Sequence, residues 1–167
     1  ILGSPDETAE IEFLEGGAVN IYVGTQSNGQ GHETVYAQFL ADQTGLPVED
    51  IHVIQGDSDL IPEGGGTGGS RSVTTQGTAT LATVDQMVSA FTVFLSDAWD
   101  VPEDEIRFED EAFRSVSSNH VMRLSEVADM ARDAGRTDLM RHRAKATLPG
   151  RSFPNGAHLA EIVIDRE

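Results

Sequence analysis

Cysteine is absent from the 167-residue chain. Its absence excludes a disulfide scaffold, a cysteine-ligated zinc or iron–sulfur centre held by this chain, and a thiol nucleophile. Long apolar runs are also lacking, since none approaches the roughly 18 residues that a membrane-spanning helix requires. The first residues show no basic start followed by an apolar stretch, which is the pattern of an export signal. We therefore expect a cytoplasmic protein that has no membrane partner.

Basic side chains are scarce and unevenly placed. The chain has 28 acidic and 11 basic residues, a net charge of −17. This excess argues against nucleic acid as a partner, because phosphates require clustered Lys and Arg; a solubilising acidic surface accounts for most of it. Residues 1–106 contain 18 acidic side chains and a single basic one, Arg71, whereas residues 107–167 contain 10 of each. That single cation lies in the most glycine-dense segment of the chain.

Apolar periodicity predicts an α+β fold in which helices are layered on a mixed β-sheet. Two alternating segments around a Gly-Gly pair predict a hairpin, and i, i+4 apolar pairs followed by Gly45 and Pro47 predict a helix that ends there. A helix–Pro–acidic–strand sequence occurs at 46–53 and again at 101–108, which favours helix-to-strand crossovers. The predicted strands are 9–14, 19–23, 51–54, 106–108, 112–114, 121–123 and 159–164. The predicted helices are 32–44, 125–135 and one whose apolar stripe covers 81–98 after a leading segment of small residues, 77–80, that is expected to pack closely against backbone.

The glycine-dense segment, 64–72, is one candidate binding site. Five of its first six residues are glycines, and Ser70, Arg71 and Ser72 follow just before a long helix. Backbone N–H groups at a helix N-terminus, hydroxyls and a guanidinium together favour binding of an anion. A flexible surface loop with an incidental arginine is the alternative. A P-loop is excluded because the segment has no lysine, and a dinucleotide-binding turn is excluded because the segment begins too far beyond the preceding strand.

A second glycine-punctuated loop, 24–31, leads into the helix predicted from His32. Gln30, His32 and Thr34 offer a neutral amide, an imidazole and a hydroxyl near helix N–H groups, a set that suits a polar heterocycle or a phosphate better than a metal ion. The alternative is a histidine that caps the helix or lies on the surface. The other histidines show no metal-ligand spacing and no nucleophile motif occurs, so the sequence predicts neither a metal site nor a catalytic residue in this chain.

Four segments, in order, resemble sequence blocks of the molybdenum hydroxylases, the xanthine dehydrogenase/aldehyde oxidase family, in its molybdopterin-binding large subunit. The first, 24–38, reads GTQSNGQGHETVYAQ and resembles GTQ-x-x-GQGHET-x-x-AQ. The second and third are 53–59 and 66–72. The fourth, 153–161, resembles FPNG-C-H-x-AE, with Ala157 in place of the cysteine. The similarity covers most of the chain.

The resemblance implies part of a molybdenum cofactor-binding region, here one partial domain over residues 1–167 with lobes of about 1–100 and 101–167. In this family the first and third blocks line the pyranopterin cofactor, which is molybdopterin cytosine dinucleotide in the bacterial enzymes. The implied contacts to the pterin and phosphates are Gln30, Gly31, His32, Glu33 and Thr34, and those to the pyrophosphate or nucleotide end are Gly68, Gly69, Ser70, Arg71 and Ser72.

The resemblance also implies the activity of a parent enzyme. Such an oxidoreductase hydroxylates a carbon centre of a small-molecule substrate with oxygen from water, and electrons leave through iron–sulfur and FAD subunits or domains. The family's catalytic glutamate, in a Gly-Glu-Gly segment, falls outside this chain, so neither Glu33 nor Glu63 is assigned that role. The isolated chain is expected to be an inactive fragment without cofactor. A non-catalytic anion- or nucleotide-binding module is the alternative.

Overall fold

The structure, a computed structural model, describes residues 3–150, 152–153 and 156–165. Within this part of the chain the strands are β1 (Asp6–Phe13), β2 (Val19–Val23), β3 (Ile51–Ile54), β4 (Ile106–Glu109), β5 (Ala112–Ser115), β6 (Val121–Arg123) and β7 (Arg141–Thr147). The α-helices are α1 (His32–Thr44), α2 (Ser72–Trp99) and α3 (Leu124–Asp133). The hairpin, the first helix and the short strands after residue 100 therefore form where the sequence predicts them.

The strands form one mixed sheet and one antiparallel sheet. The first sheet has the order β3-β2-β1-β7, and the second has the order β4-β5-β6. β1 is antiparallel to both β2 and β7, whereas β2 and β3 are parallel because α1 forms the crossover between them. This confirms the α+β class with a mixed sheet. β7 comes from the second predicted lobe but completes the sheet of the first, so the two lobes interlock.

One hydrophobic core joins the two sheets through α2. The ring of Phe91 on α2 lies 5.7 Å from that of Phe13 on β1 and 6.4 Å from that of Phe113 on β5. All three side chains are buried. Because edge-to-face aromatic pairs are stabilising beyond the area they bury, these contacts hold the second sheet against the first.

Helix α2 is longer than its apolar pattern predicts. It begins at Ser72, nine residues before the predicted stripe, and its first three turns bury polar side chains such as Thr75 and Gln76. Within the predicted stripe, Phe91 and Leu95 are buried, but Leu81 is 40% exposed. Residues 77–80 do not show the expected close approach at Gly77, where the nearest atoms belong to the Phe39 side chain. The helix contacts backbone one turn later, where the Thr83 hydroxyl donates to the carbonyl of Ala9 on β1 (3.1 Å).

The expectation that no segment approaches a membrane-spanning length is corrected by α2. By length and composition alone α2 is long and apolar enough to cross a membrane, and 44% of its most apolar part is buried inside the protein. One such helix is weak evidence, since the core helix of a globular protein meets the same criteria. One face of α2 packs on β1 and β7, as expected of a core helix.

Two predictions near the C-terminus are wrong. The arginine-rich segment 141–147, which was not predicted to be a strand, forms β7, with exposed Arg141, Arg143 and Lys145 alternating with more buried positions. The strand predicted at 159–164 does not form, and Leu159 is 98% exposed. A strand needs a partner for its backbone groups, and none of the described strands pairs with this segment.

His142 on β7 predicts a pH-dependent stability. Its ring lies 5.4 Å from that of Phe91, and its Nε2 lies 2.8 Å from the carbonyl oxygen of Leu139. Burial lowers the pKa of His142 below its ordinary value. The unfolded chain then binds the proton more readily than the folded one, so the free energy of unfolding is greatest above about pH 6.5 and falls as the pH drops below it.

The His142→Leu variant is expected to lose part of that pH dependence. Denaturant titrations at pH 7.5 and pH 5.5 measure it, with the exposed histidine variant His52→Leu as the control that keeps the wild-type slope. Equal pH slopes in wild type and His142→Leu would contradict this assignment.

Candidate functional site

The two glycine-rich loops lie against each other at the ends of β1 and β2. The N–H of Gly66 donates to the carbonyl of Gly24 (3.1 Å), and the Thr67 hydroxyl donates to the carbonyl of Gln26. A Cβ atom on Gly64 would lie 2.6 Å from the Cα of Gly24, which a side chain does not tolerate. Glycine is therefore required here because two backbones touch.

The loop 24–31 is also fixed from the side of β3 and α1. Gln55, which follows β3, accepts a hydrogen bond from the N–H of Ser27 (2.8 Å) and donates to the carboxylate of Glu33 on α1. The buried hydroxyls of Thr25 and Tyr36 are 2.8 Å apart. The second sequence block thus supports the first block.

A cleft of about 590 Å³ opens between these loops. The first residue of α1 and the first three residues of α2 line it. Loop residues of the first and third sequence blocks, the first residue of the fourth block and the residue before it complete the lining. None of the described lining residues is acidic, although the chain carries 28 acidic residues. They are Gln30, His32, Thr67, Gly68, Ser70, Ser72, Val73, Thr74, Ser152 and Phe153.

Both helices begin at the cleft without a side-chain cap. α1 starts after Gly31, a left-handed residue (φ 76°), and α2 starts after Arg71, whose side chain makes no capping hydrogen bond. The first N–H groups of a helix have no partner within the helix, and the helix dipole places partial positive charge there. Two such ends at a cleft without carboxylates favour an anionic ligand.

His32 also lines this cleft, and its ring holds a buried polar atom without a partner. The residue is 2% exposed, and within the described part of the chain its Nδ1 makes no hydrogen bond. Its ring packs 4.9 Å from that of Tyr36. Burial lowers the pKa of His32, and the charge of Glu33 opposes this effect only in part. A neutral imidazole with a buried, unsatisfied nitrogen is expected to bond to a ligand in the cleft.

The other predicted site residues divide into two groups. Gln30 lines the cleft, and its side-chain oxygen accepts from the N–H of Asn28, so its amide nitrogen is the part without a described partner. Gly68, Ser70 and Ser72 also line the cleft. Four residues are not among the lining residues, and their binding roles stay predictions: Gly31, Glu33, Thr34 and Gly69.

Arg71 makes contacts that the sequence did not predict. Its side chain is 2% exposed and forms an ion pair with Glu7 (2.9 Å). The guanidinium also donates to the carbonyls of Ser4 (2.9 Å), Asp6 (2.7 Å) and Gly66 (2.7 Å). Four of its five N–H groups are therefore engaged by the protein. The guanidinium has protein partners where a phosphate was expected, so its direct binding of an anion is not supported.

Glu7 is the residue that the sequence analysis missed. It lies on β1 in the alternating row with Ala9, Ile11 and Phe13, which faces the core, and it is 2% exposed. A carboxylate at a core-facing strand position requires a buried cation. Arg71 is the only basic residue among the first 106. The acidic residue in an otherwise apolar row of β1 could therefore have predicted the pairing of Glu7 with Arg71.

A second cavity, of about 430 Å³, differs from the cleft in being lined by acidic residues. It is lined by the carboxylate residues Asp6, Glu7 and Glu63, with Lys145 at its side. Negative charge of this density disfavours a phosphate, so the cleft between the glycine loops is the better anion site.

The comparison with protein families agrees with this geometry. The model of the molybdopterin cofactor-binding domain matches residues 2–167. The chain belongs to this family. In this molybdopterin cofactor-binding domain, the cleft brings together the first and third blocks, with Phe153 of the fourth beside them. Pro154 and Asn155 of the fourth block lie outside the described residues.

The relatives of this molybdopterin cofactor-binding domain confirm the resemblance to molybdenum hydroxylases. The chain is 38% identical over 115 residues, 68% of its length, to the carbon monoxide dehydrogenase large chain of Afipia carboxidovorans, covering 14% of that protein. It is 28% identical over 95% of its length to the 6-hydroxypseudooxynicotine dehydrogenase complex subunit gamma of Paenarthrobacter nicotinovorans, covering 21% of it. A crystal structure of Cu,Mo-CO dehydrogenase, in its carbon monoxide reduced state, superposes with a TM-score of 0.78 and 30% identity, over 86% of this chain and 18% of that one.

Proposed function

We propose that this chain is the cofactor-binding part of a molybdenum hydroxylase, and that its cleft binds the phosphate-bearing part of molybdopterin cytosine dinucleotide. The observation that carries the proposal is the cleft itself. Two uncapped helix N-termini, two glycine-rich loops and a buried imidazole meet there, and no acidic residue is among the described lining residues. The family match supports the same ligand class.

The residues of the cleft fit such a cofactor. Its phosphates would accept from the first N–H groups of α2 and from the hydroxyls of Ser70 and Ser72. The amide of Gln30 and the unsatisfied Nδ1 of His32 would bond to polar atoms of the pterin. Both groups are neutral, so they orient the ligand without adding charge. When bound, the cofactor supplies the redox chemistry by which this family hydroxylates a carbon centre with oxygen from water.

The remaining parts of the proposal concern a longer protein. The chain spans 14–21% of the length of the relatives described above. Two of these relatives are a large chain and a subunit of a complex, which supports further subunits as partners here. We propose that these partners are iron–sulfur and FAD subunits or domains. We expect the substrate pocket and the proton-accepting glutamate outside this chain, a cytoplasmic location, and no turnover by the isolated 167 residues.

Cofactor analysis of the full-length protein that carries this chain tests the proposal. Elemental analysis is expected to find stoichiometric molybdenum, and acid hydrolysis is expected to release an equal amount of cytidine monophosphate. Nucleotide without molybdenum would instead favour a non-catalytic nucleotide-binding module. A protein that holds neither would contradict the proposed function.

Gln30→Glu is expected to preserve the fold and impair turnover in that full-length protein. A carboxylate accepts where the amide donates, and it adds negative charge beside the phosphates. Removing one preorganised donor costs about 10²–10³ in turnover at other enzyme sites, and we expect a loss of at least tenfold. The control is Gln38→Glu, on an exposed position of α1. Wild-type turnover and cofactor content in Gln30→Glu would contradict the placement of Gln30.

A further inference from the structure

The buried guanidinium of Arg71 lies behind the third block and joins it to β1. It donates to the carbonyls of Ser4 and Asp6 at the start of β1 and to the carbonyl of Gly66 in the loop. The backbone N–H of Arg71 also donates to the carbonyl of Gly68 (3.3 Å). Arg71 therefore holds the turn 66–71 through hydrogen bonds from both its side chain and its backbone.

Glu7 supports the same turn from the strand. Its Oε2 accepts from the N–H of Gly65 (3.0 Å) and from Arg71 (2.9 Å). Gly65 lies flat against the guanidinium, and a Cβ atom there would collide with it. The pair thus fixes the backbone on both sides of the residues that line the cleft.

The backbone held in this way has unusual geometry. Gly66, Gly69 and Ser70 all have positive φ values, of 68°, 60° and 58°. A left-handed serine is disfavoured and persists only where its surroundings determine it. Ser70 lines the cleft, so the turn that the pair holds is the one that places Ser70 there.

We propose that Glu7 and Arg71 are positioning residues that hold the third block in its ligand-binding conformation without touching the ligand. This rests on the proposed function for the nature of the ligand. A pair that served stability alone would be replaceable by apolar residues of similar volume, because such replacements of buried ion pairs are often neutral. A positioning pair would not be replaceable, since the apolar pair makes no hydrogen bonds to Gly65 and Gly66.

The test is the double variant Glu7→Leu/Arg71→Met in the full-length protein, compared with wild type after removal of cofactor. Hydrogen exchange by mass spectrometry compares a peptide covering 60–70 with a core peptide covering 84–95. We expect about tenfold faster exchange in the first peptide and wild-type exchange in the second, because only the turn is released. After reloading, cofactor affinity is expected to fall by roughly tenfold or more.

Two control variants separate positioning from charge. Arg71→Lys keeps the cation but lacks the planar fork of donors. Hydrogen exchange in the 60–70 peptide of this variant is therefore expected to be faster than in wild type, as in the double variant. The double variant Arg136→Met/Asp138→Leu removes an exposed ion pair and is expected to change neither peptide. Wild-type exchange in 60–70, parallel acceleration of both peptides, or wild-type cofactor affinity in Glu7→Leu/Arg71→Met would each overturn the proposal. A wild-type protein without molybdopterin would refute the proposed function alone, while the exchange data still decide the positioning role.

Discussion

Replacing Arg71 with methionine alone is expected to lower the free energy of unfolding by about 3–5 kcal/mol, because Glu7 is left as a buried carboxylate without its cation. The side chains of the pair are 2% and 1% exposed, so water does not compensate for the loss. Three backbone carbonyls lose their donor in the same variant. For a chain of this size, the loss corresponds to a fall of roughly 6–20 °C in the unfolding temperature.

Thermal unfolding at neutral pH measures this effect. The matched control is Arg136→Met. Arg136 also forms an ion pair, with Asp138 at 2.8 Å, but both side chains of that pair are exposed. That variant is expected to unfold at the wild-type temperature. Adding Glu7→Leu to Arg71→Met is expected to recover the part of the lost stability that comes from the unpaired carboxylate. Similar unfolding temperatures for Arg71→Met and Arg136→Met would contradict a buried Glu7–Arg71 ion pair.

Gly64→Ala is expected to destabilise the protein by about 3 kcal/mol, the upper end for overpacking, because the new methyl group meets backbone that has no rotamer to change. The nearest atoms belong to Gly24, whose carbonyl and Cα lie under the position of the Cβ. The two glycine loops must then separate, and the hydrogen bond from Gly66 to Gly24 is lost with them. The expected fall in unfolding temperature is roughly 6–12 °C.

A second glycine of the same loop provides the control. A Cβ atom on Gly68 would meet nothing within 4 Å, so Gly68→Ala is expected to keep the wild-type unfolding temperature. Gly68 does line the cleft, and its methyl group is expected to lower cofactor content in the full-length protein. The two alanine variants should therefore separate loop packing from ligand contact. An equally stable Gly64→Ala would mean that the loops are not in contact in solution.

The elements that were predicted correctly are those whose pattern is apolar and local. α1 was predicted from His32 to Thr44, where the structure places it, because its apolar pairs and its stop at Gly45 lie within one short segment. The first turns of α2 lie outside the predicted apolar stripe, because Thr75 is buried by a hydrogen bond within the helix and Gln76 by one to the first loop. Hydrophobic periodicity cannot report a face that is buried through polar contacts.

Long-range pairing explains the remaining differences. β7 has three basic residues on its exposed face, and it forms because β1 offers a complementary edge, with Glu12 opposite Arg141 and Glu10 opposite Arg143. Arg141 forms ion pairs with both carboxylates. The apolar alternation at 159–164 has no such partner among the described strands. For the site, the sequence predicted two loops, which the structure brings into contact. It assigned Arg71 to a ligand because the partner of Arg71, Glu7, lies 64 residues earlier in the chain, where local patterns do not reach.

The position of β7 beside β1 also sets the time at which β1 becomes paired on both edges during synthesis. Glu10 on β1 contacts Arg141, a residue 131 positions later, so one edge of β1 stays unpaired until β7 has left the ribosome. Contacts of such separation form late, and an unpaired edge is prone to association with other chains in the meantime. A nascent chain that stops before Arg141 would hold Glu7 on a strand with a free edge. Closure of this edge of β1 is therefore a late event in the synthesis of the domain.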